Sequence, residues 1–232
     1  MNETQDKTLF TSHMTRGETL AVLLWLPVHA LLLPWLLLTF FSDRFSEADL
    51  NLILYGLGLV YMLLTAGRFL RRDFDPLCDR PVWTLFQVLI SYGLVLACNM
   101  LLSALLRLVM PLDNPNNEAV MGLAHRDLGK VTAMAVFLAP LLEELLFRGG
   151  VFGSIRRWNR NVAYGVSMLL FALYHVWAYA QNDPMSWLYL LQYMPVGFLL
   201  CRCYERTNSI WGSILLHMLN NAVSMRVLWA LL

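Results

Sequence analysis

Residues 50–69 read LNLILYGLGLVYMLLTAGRF, a run in which Arg68 is the single charged side chain. About 20 apolar residues are enough for a helix to cross a bilayer. Because the run is continuous rather than alternating, and because hydrocarbon tolerates only helices or closed barrels, it predicts a membrane-spanning helix. Further apolar segments recur along the chain, at 18–41, 83–110, 130–152, 162–180, 186–204 and 209–232. We therefore predict an all-α, polytopic transmembrane helical bundle of about seven spans, with counts of six and eight also open.

The composition of the 232-residue chain agrees with a membrane protein and argues against other classes. Hydrophobic residues make up 58% of it and charged residues 14%, against about 25% charged in soluble domains. Little sequence remains for an extramembrane domain, so residues 1–232 are predicted to form one domain in the lipid bilayer. A net charge of +1 argues against a nucleic-acid partner. The cysteines show no CxxC pairing and no zinc-ligand spacing, and free thiols are predicted at Cys78, Cys98, Cys201 and Cys203.

The distribution of Lys and Arg predicts the orientation, because positively charged connections stay in the cytoplasm. On the side of the N-terminus, the connections and their flanks contain Lys7, Arg16, Arg68, Arg71, Arg72, Arg80, Arg156, Arg157, Arg160, Arg202 and Arg206. Those on the other side contain Arg44, Arg126 and Lys130. The chain is therefore predicted to be an integral, multi-pass protein with a cytoplasmic N-terminus, and its compact size suggests a bacterial cytoplasmic membrane.

Two adjacent carboxylates lie inside the fourth apolar segment, where residues 139–150 read APLLEELLFRGG. Ionisable groups in a span are costly and mark functional sites. On a helix, Glu143 and Glu144 point about 100° apart. Arg148 lies one turn after Glu144 on the same face, which predicts an ion pair and leaves Glu143 for another role. Pro140 is predicted to kink the helix one turn before Glu143.

Other polar side chains interrupt later segments. His175 lies in the fifth segment, and His217 shares a helix face with Asn221 in the seventh. At about 1.5 Å per residue, these positions and Glu143 lie on the order of 12–20 Å from the cytoplasmic helix ends, a depth at which they can converge. His29, in the first segment, is instead interpreted as a structural histidine that is hydrogen-bonded to a neighbouring helix.

The chemistry of this set favours hydrolysis. A carboxylate, an imidazole and a polar donor can activate water and stabilise an oxyanion. Neither a GxSxG elbow nor an HExxH helix is present. Two His and one Glu can also bind zinc, and the same polar groups can hold helices together. These alternatives stay open on the residues alone.

Three motifs in order make the sequence resemble the CAAX protease and bacteriocin-processing (CPBP, or ABI) family of intramembrane proteases, which includes the type II CAAX prenyl endopeptidases. EExxxR is matched from Glu143 to Arg148, FxxxH from Phe171 to His175, and HxxxN from His217 to Asn221. The resemblance covers about residues 130–225, which it implies to be a catalytic helical core.

The resemblance implies a role for each matching position. Glu143, assisted by His175, would activate water, and His217 with Asn221 would form the oxyanion hole. Arg148 would hold Glu144 and shape the site. The expected protein is a glutamate-dependent endopeptidase that needs no cofactor, with zinc at Glu143, His175 and His217 as the alternative site chemistry.

The expected partner is a membrane-embedded or membrane-anchored peptide or protein. Two other functions stay open, a proton-coupled transporter and a non-catalytic bacteriocin-immunity scaffold. A transporter would ordinarily show related halves, and none is visible in the sequence.

Overall fold

A computed structural model describes residues 10–109 and 114–231, and this part of the chain is helical almost throughout. We number the helices α1 to α9 in chain order. Their bounds are Arg16–Phe41 (α1), Glu47–Arg72 (α2), Asp75–Asp79 (α3), Pro81–Leu106 (α4), Pro115–Arg126 (α5), 128–156 (α6), Arg160–Ala180 (α7), Leu190–Thr207 (α8) and Ile210–Leu231 (α9). A single 3₁₀ turn, Pro184–Tyr189, precedes α8.

The predicted all-α fold is confirmed. Over most of its described length, each of the seven predicted apolar segments lies on a helix. Segment 83–110 extends past the end of α4 at Leu106, and segment 186–204 begins in the 3₁₀ turn before α8. In the part of the chain that the structure describes, four stretches are both long and apolar enough to cross a membrane: Arg16–Phe41, Glu47–Asp79, Pro81–Leu106 and Arg160–Ala180. The protein is thus a helical integral membrane protein. The remaining three segments lie on α6, α8 and α9, of which α6 carries Glu143 and α9 carries His217. A count of seven spans stays a prediction.

Two short helices were not predicted. α3 and α5 lie in stretches that the sequence indicated as connections, 71–82 and 111–130. In α5, Asn114 caps the helix by accepting a hydrogen bond from the amide of Asn116, and Pro115 occupies the first turn, where its missing N–H costs nothing. The sequence pattern did not indicate α5, because this helix is polar and lacks an apolar run. Lys7, used in the orientation argument, and residues 110–113 lie outside the described residues.

Helix α6 departs from regular geometry on both sides of the paired glutamates. Residues Met134–Leu138 and Leu145–Phe152 are π-helical, and Ala139–Glu144 between them is α-helical. Pro140 lacks the N–H that would bond to the preceding turn, which accounts for the first irregularity. Such π turns occur often at functional sites.

The core forms around α6, which packs against α1, α2, α7 and α9. Its apolar side chains are almost fully buried, among them Leu142, Leu145 and Phe147. α8 packs against α4, α7 and α9 on the other side of the bundle. The glutamates of α6 are therefore enclosed by other helices rather than turned toward lipid.

One end of the bundle collects most of the basic side chains. At this end the indole nitrogen of Trp83 donates to the carbonyl of Arg206 (3.1 Å), and the Tyr204 hydroxyl donates to the carbonyl of Ser12 (2.8 Å), joining the starts of α4 and α1 to the end of α8. We call it the basic end, and its arginines are Arg16, Arg68, Arg71, Arg72, Arg80, Arg156, Arg157, Arg160, Arg202 and Arg206.

Candidate active site

The two adjacent glutamates have different surroundings. Glu144 is fully buried, and its carboxylate lies 3.2 Å from the Arg148 guanidinium, so the predicted ion pair is confirmed. It also accepts hydrogen bonds from the Ser213 hydroxyl and from Nδ1 of His217, the latter at 2.8 Å. Three fixed partners therefore hold this carboxylate in place.

Arg148 is itself fully buried and has further contacts. One Nη atom donates to the carbonyl of Gly197 on α8 (3.0 Å), and the guanidinium lies 4.4 Å from the centre of the Phe171 ring on α7. Through this side chain, α6 is tied to both α7 and α8. Removal of the arginine would leave a buried carboxylate without its counter-charge.

Glu143 has a more open environment, although only 3% of it is exposed. Its Oε2 atom lies 3.7 Å from Nε2 of His175 and 4.0 Å from Nε2 of His217. Among the described residues this Oε2 has no hydrogen-bond partner, whereas Oε1 accepts a long bond from the Tyr55 hydroxyl (3.4 Å). The structure thus brings the three predicted residues Glu143, His175 and His217 together, and we call them the carboxylate–imidazole cluster.

The histidines of this cluster are both oriented through Nδ1. In His175 this atom lies 2.8 Å from the carbonyl of Phe171, and in His217 it lies 2.8 Å from the Glu144 carboxylate. Since both partners are oxygen acceptors, each Nδ1 carries a proton. Each Nε2 is then directed at Glu143 across a gap that is too wide for a direct hydrogen bond, and a water beside the gap could contact both groups.

Asn221 lies at the edge of this arrangement. Its side-chain amide donates to the carbonyl of Ala135, in the first π-helical turn of α6 (2.8 Å), and its oxygen accepts from Asn220 (3.1 Å). No hydrogen bond joins Asn221 to the carboxylate–imidazole cluster within residues 10–109 and 114–231. One N–H of its amide group remains for a ligand.

Several contacts of Glu144 and of the cluster were not predicted. Ser213 binds Glu144, and Tyr55 binds Glu143 and lies 3.4 Å from the hydroxyl of Tyr174. Tyr193 stacks on His175 at 4.7 Å between ring centres. A hydroxyl in an apolar segment is a weak signal, because Tyr and Ser occur in many spans without any role in a site.

The interpretation of His29 was wrong. The side chain is buried, with 1% exposed, but neither ring nitrogen has a hydrogen-bond partner among the residues described. Its neighbours explain this: Trp25 and Gly58 lie beside it, and the ring meets that of Tyr55 edge-on at 5.2 Å. Neither polar neighbour bonds to the imidazole: the Trp25 indole nitrogen has no partner among the described residues, and the Tyr55 hydroxyl contacts Glu143 and a second tyrosine instead.

The same donor atoms do not have the spacing of a zinc site. Two imidazole nitrogens and a carboxylate oxygen are ligands that zinc prefers, but at bonds of about 2.0–2.1 Å tetrahedral ligands lie about 3.3 Å apart, closer than the 3.7 and 4.0 Å found here. Across residues 10–109 and 114–231, no three His, Cys, Asp or Glu side chains are arranged to hold a metal ion. The spacing therefore does not fit zinc, and no step below passes through a metal. The absence of a cofactor stays a prediction.

The helices that form the site match a known protein family. Residues 128–223, which contain every residue of the cluster, match the family described as type II CAAX prenyl endopeptidase Rce1-like. The resemblance to the CAAX protease family is confirmed. The match begins with α6 and ends within α9, so it covers the helices that supply Glu143, His175 and His217.

Three bacterial proteins are similar in sequence to parts of this chain. The UPF0177 protein YxdF of Lactococcus lactis subsp. lactis is 40% identical over 80 residues, which are 34% of this chain and 40% of that protein. UPF0177 protein YvdC of the same organism is 23% identical over 195 residues, covering 82% of this chain and 70% of that protein. YdiL of Bacillus subtilis, whose name proposes a membrane peptidase, is 26% identical over 110 residues, covering 47% and 41%.

Two of these alignments, those with YxdF and YdiL, thus span about two fifths of the relative's own length. No solved structure matches the chain. Through the family match and YdiL, the chain is thus similar to proteins named as CAAX prenyl endopeptidases and as a membrane peptidase.

Proposed function

We propose that this protein is a glutamate-dependent intramembrane endopeptidase, with Glu143 as the general base. The observation that carries the proposal is the buried Glu143 carboxylate, whose Oε2 has no hydrogen-bond partner among the described residues and faces two imidazole Nε2 atoms at 3.7 and 4.0 Å. A general base must reach the proton that it removes, directly or through one water. A water between Glu143 and His175 would satisfy this condition.

In the proposed reaction, Glu143 takes a proton from that water while the oxygen attacks the carbonyl carbon of the scissile peptide bond. His175 accepts a hydrogen bond from the same water at Nε2 and orients it, since its Nδ1 is held by Phe171. The tetrahedral intermediate then collapses as the C–N bond breaks. The proton held by Glu143 passes to the leaving amine, which restores the carboxylate.

His217 is proposed to stabilise the oxyanion. In this role it donates to the oxyanion through Nε2, while its Nδ1 is held by the Glu144 carboxylate. Asn221 supplies a second donor through the N–H that does not bind Ala135. Arg148, Ser213 and Glu144 would then serve the reaction indirectly, by fixing the position of His217.

The substrate is proposed to be a peptide or protein segment in or at the membrane, because α6 places the cluster inside the bundle. For the orientation, we propose that the basic end faces the cytoplasm, with the N-terminus on the same side. The relatives in Lactococcus and Bacillus support a bacterial cytoplasmic membrane as the location.

Glu143→Gln tests the proposal, because it keeps the size of the side chain and removes the base. Membranes from cells that make wild type or variant at equal abundance are compared by mass spectrometry of peptide termini. Glu47→Gln is the control, since Glu47 is exposed and its contact with Arg126 is a long one, at 3.9 Å. We expect termini that are present with wild type and Glu47→Gln and absent with Glu143→Gln.

The peptides that lose these termini are then reconstituted with purified protein, and a fall of at least 10²-fold in kcat is expected for Glu143→Gln. Unchanged cleavage in that reconstituted assay would refute the glutamate mechanism. If no peptide is cleaved by the folded wild-type protein, and proton flux in vesicles depends on Glu143, the transporter alternative replaces the protease. If the protein protects cells against a bacteriocin and this protection survives Glu143→Gln, the scaffold alternative replaces the protease.

A further inference from the structure

A groove of about 370 Å³ lies between α7 and α8 at the basic end. Its mouth is formed by three arginines, Arg160, Arg202 and Arg206. Its deeper wall contains Gly165, Met168 and Phe198. Met168 lies eight residues, or about 12 Å, along α7 from Arg160. Phe198 lies about 6 Å along α8 from Arg202 and about 12 Å from Arg206.

The mouth has an excess of positive charge. Arg160 pairs with Glu205 at 2.8 Å, and Glu205 is the carboxylate that α8 contributes beside the groove. Arg202 contacts the Ser91 hydroxyl of α4 at 3.4 Å, and neither it nor Arg206 forms an ion pair with any residue that the structure describes. Two guanidinium groups therefore point to an anion from outside the chain, because arginine matches phosphate in charge and in hydrogen-bond geometry.

The deeper part of the groove is apolar and open on its lipid side. Phe198 is 43% exposed, and a Cβ atom built on Gly165 would meet nothing within 4 Å. Glycine inside a helix costs about 1 kcal/mol relative to alanine, yet no neighbouring atom requires it here. What the glycine provides is room for a slender apolar chain along α7.

The groove is closed toward the carboxylate–imidazole cluster. Gly197, the next residue on α8 before Phe198, lies against the backbone of Met168, and a Cβ on Gly197 would come within 3.0 Å of the Met168 Cα atom. The two helices meet there without space for another chain. A peptide that entered at the arginines would thus have no path along this seam to Glu143.

We propose that this groove binds an anionic phospholipid of the bilayer, with the headgroup phosphate between Arg202 and Arg206 and one acyl chain beside Gly165 and Phe198. Basic pockets between helices at the cytoplasmic surface are known to hold anionic lipid headgroups. The site lies apart from the proposed protease site, and its test does not depend on cleavage.

Native mass spectrometry of the purified full chain measures the site directly. The protein is titrated with phosphatidylglycerol or with phosphatidylcholine of the same acyl chains. We expect one phosphatidylglycerol to bind at least tenfold more tightly than phosphatidylcholine. Arg202→Gln with Arg206→Gln is expected to weaken phosphatidylglycerol binding about 25-fold, at about fivefold for each arginine near a lipid surface. Gly165→Leu is expected to displace the acyl chain and so to weaken the binding of phosphatidylglycerol as well.

Matched controls separate the groove from general charge and bulk. Arg16→Gln with Arg68→Gln removes two exposed arginines of the basic end, and Gly93→Leu adds the same side chain at another open glycine. Both are expected to retain tight binding, and thermal unfolding checks that every variant is folded. Equal affinity for the two lipids, an equal loss in the Arg16 and Arg68 pair, or no effect of Gly165→Leu would overturn the proposal. Equal binding of soluble glycerol 1-phosphate would do so too, because it would make the groove a site for small anions.

Discussion

The network around Glu144 makes a quantitative prediction for Arg148→Met. Methionine fills much of the same space with an apolar side chain and leaves Glu144 buried without its cation. Breaking a buried pair by removal of one partner costs about 3–5 kcal/mol. Because Arg148 and Glu144 are both fully buried, we expect the full loss in the free energy of unfolding.

A double-mutant cycle tests the origin of that loss. Glu144→Gln alone should lower the free energy of unfolding by a similar amount, about 3–5 kcal/mol, since it leaves the guanidinium unpaired. In the double variant no buried charge is left uncompensated, so its loss should stay near that of one single variant, with a coupling energy of about 3 kcal/mol. What remains is chiefly the hydrogen bond to Gly197, worth about 1 kcal/mol, and the contact with Phe171, worth about 1–2 kcal/mol.

Reversible unfolding in mixed micelles, followed by circular dichroism and by tryptophan fluorescence, gives these energies. Arg68→Met is the control, because Arg68 is exposed on α2 and its replacement should stay within about 0.5 kcal/mol. A loss below about 1 kcal/mol for Arg148→Met, or single losses that add to within about 0.5 kcal/mol, would refute the reasoning. Either result would mean that Glu144 finds its compensation elsewhere.

Three further predictions concern the hydroxyl of Tyr55, the glycines between α7 and α8, and the mechanism without a metal. Tyr55→Phe removes the hydroxyl that binds Glu143. In the reconstituted assay it should lower kcat about 2–10-fold with KM unchanged, as expected for the loss of one hydrogen bond worth about 0.5–1.5 kcal/mol. An unchanged kcat would show that this long bond does not orient the base. Gly197→Ala forces a methyl group against Met168 and should cost about 1–3 kcal/mol of unfolding free energy. Gly165→Ala enters open space and should instead stabilise the protein by up to about 1 kcal/mol, and equal stabilities of the two variants would contradict the close approach of α7 and α8. Treatment with a zinc chelator should leave cleavage intact, and activity that is lost and then restored by added zinc would disprove the mechanism without a metal.

The membrane fold was predictable because hydrocarbon imposes one strong rule on sequence. A span must be apolar over about 20 residues, and a buried charge within it must have a reason. Both signals are local, so they can be read without knowledge of tertiary contacts. The pairing of Glu144 with Arg148 was predictable for the same reason, because four residues on a helix fix their relative position.

Contacts between distant segments could not be predicted in this way. Tyr55 reaches Glu143 across 88 positions of sequence, and Ser213 reaches Glu144 across 69. Each depends on which faces of α2, α6 and α9 meet, and in a membrane the apolar faces of these helices carry little information on their partners. His29 was misjudged because its surroundings are set by Trp25 and Gly58, which give no polar signal.

The adjacent glutamates illustrate how one helix can give identical side chains different tasks. Ala139–Glu144 is a short α-helical stretch between two π-helical ones, so the direction of its side chains is decoupled from the regular helix on either side. In this position Glu144 meets three fixed partners, while Oε2 of Glu143 faces two imidazoles at distances too long for a direct hydrogen bond. The Glu144 carboxylate takes Arg148 as its counter-charge. Among the described residues no other guanidinium contacts this site, so Glu143 has no arginine partner. The second carboxylate is thereby left for chemistry, and exchanging the two roles would require moving Arg148, Ser213 and His217 together.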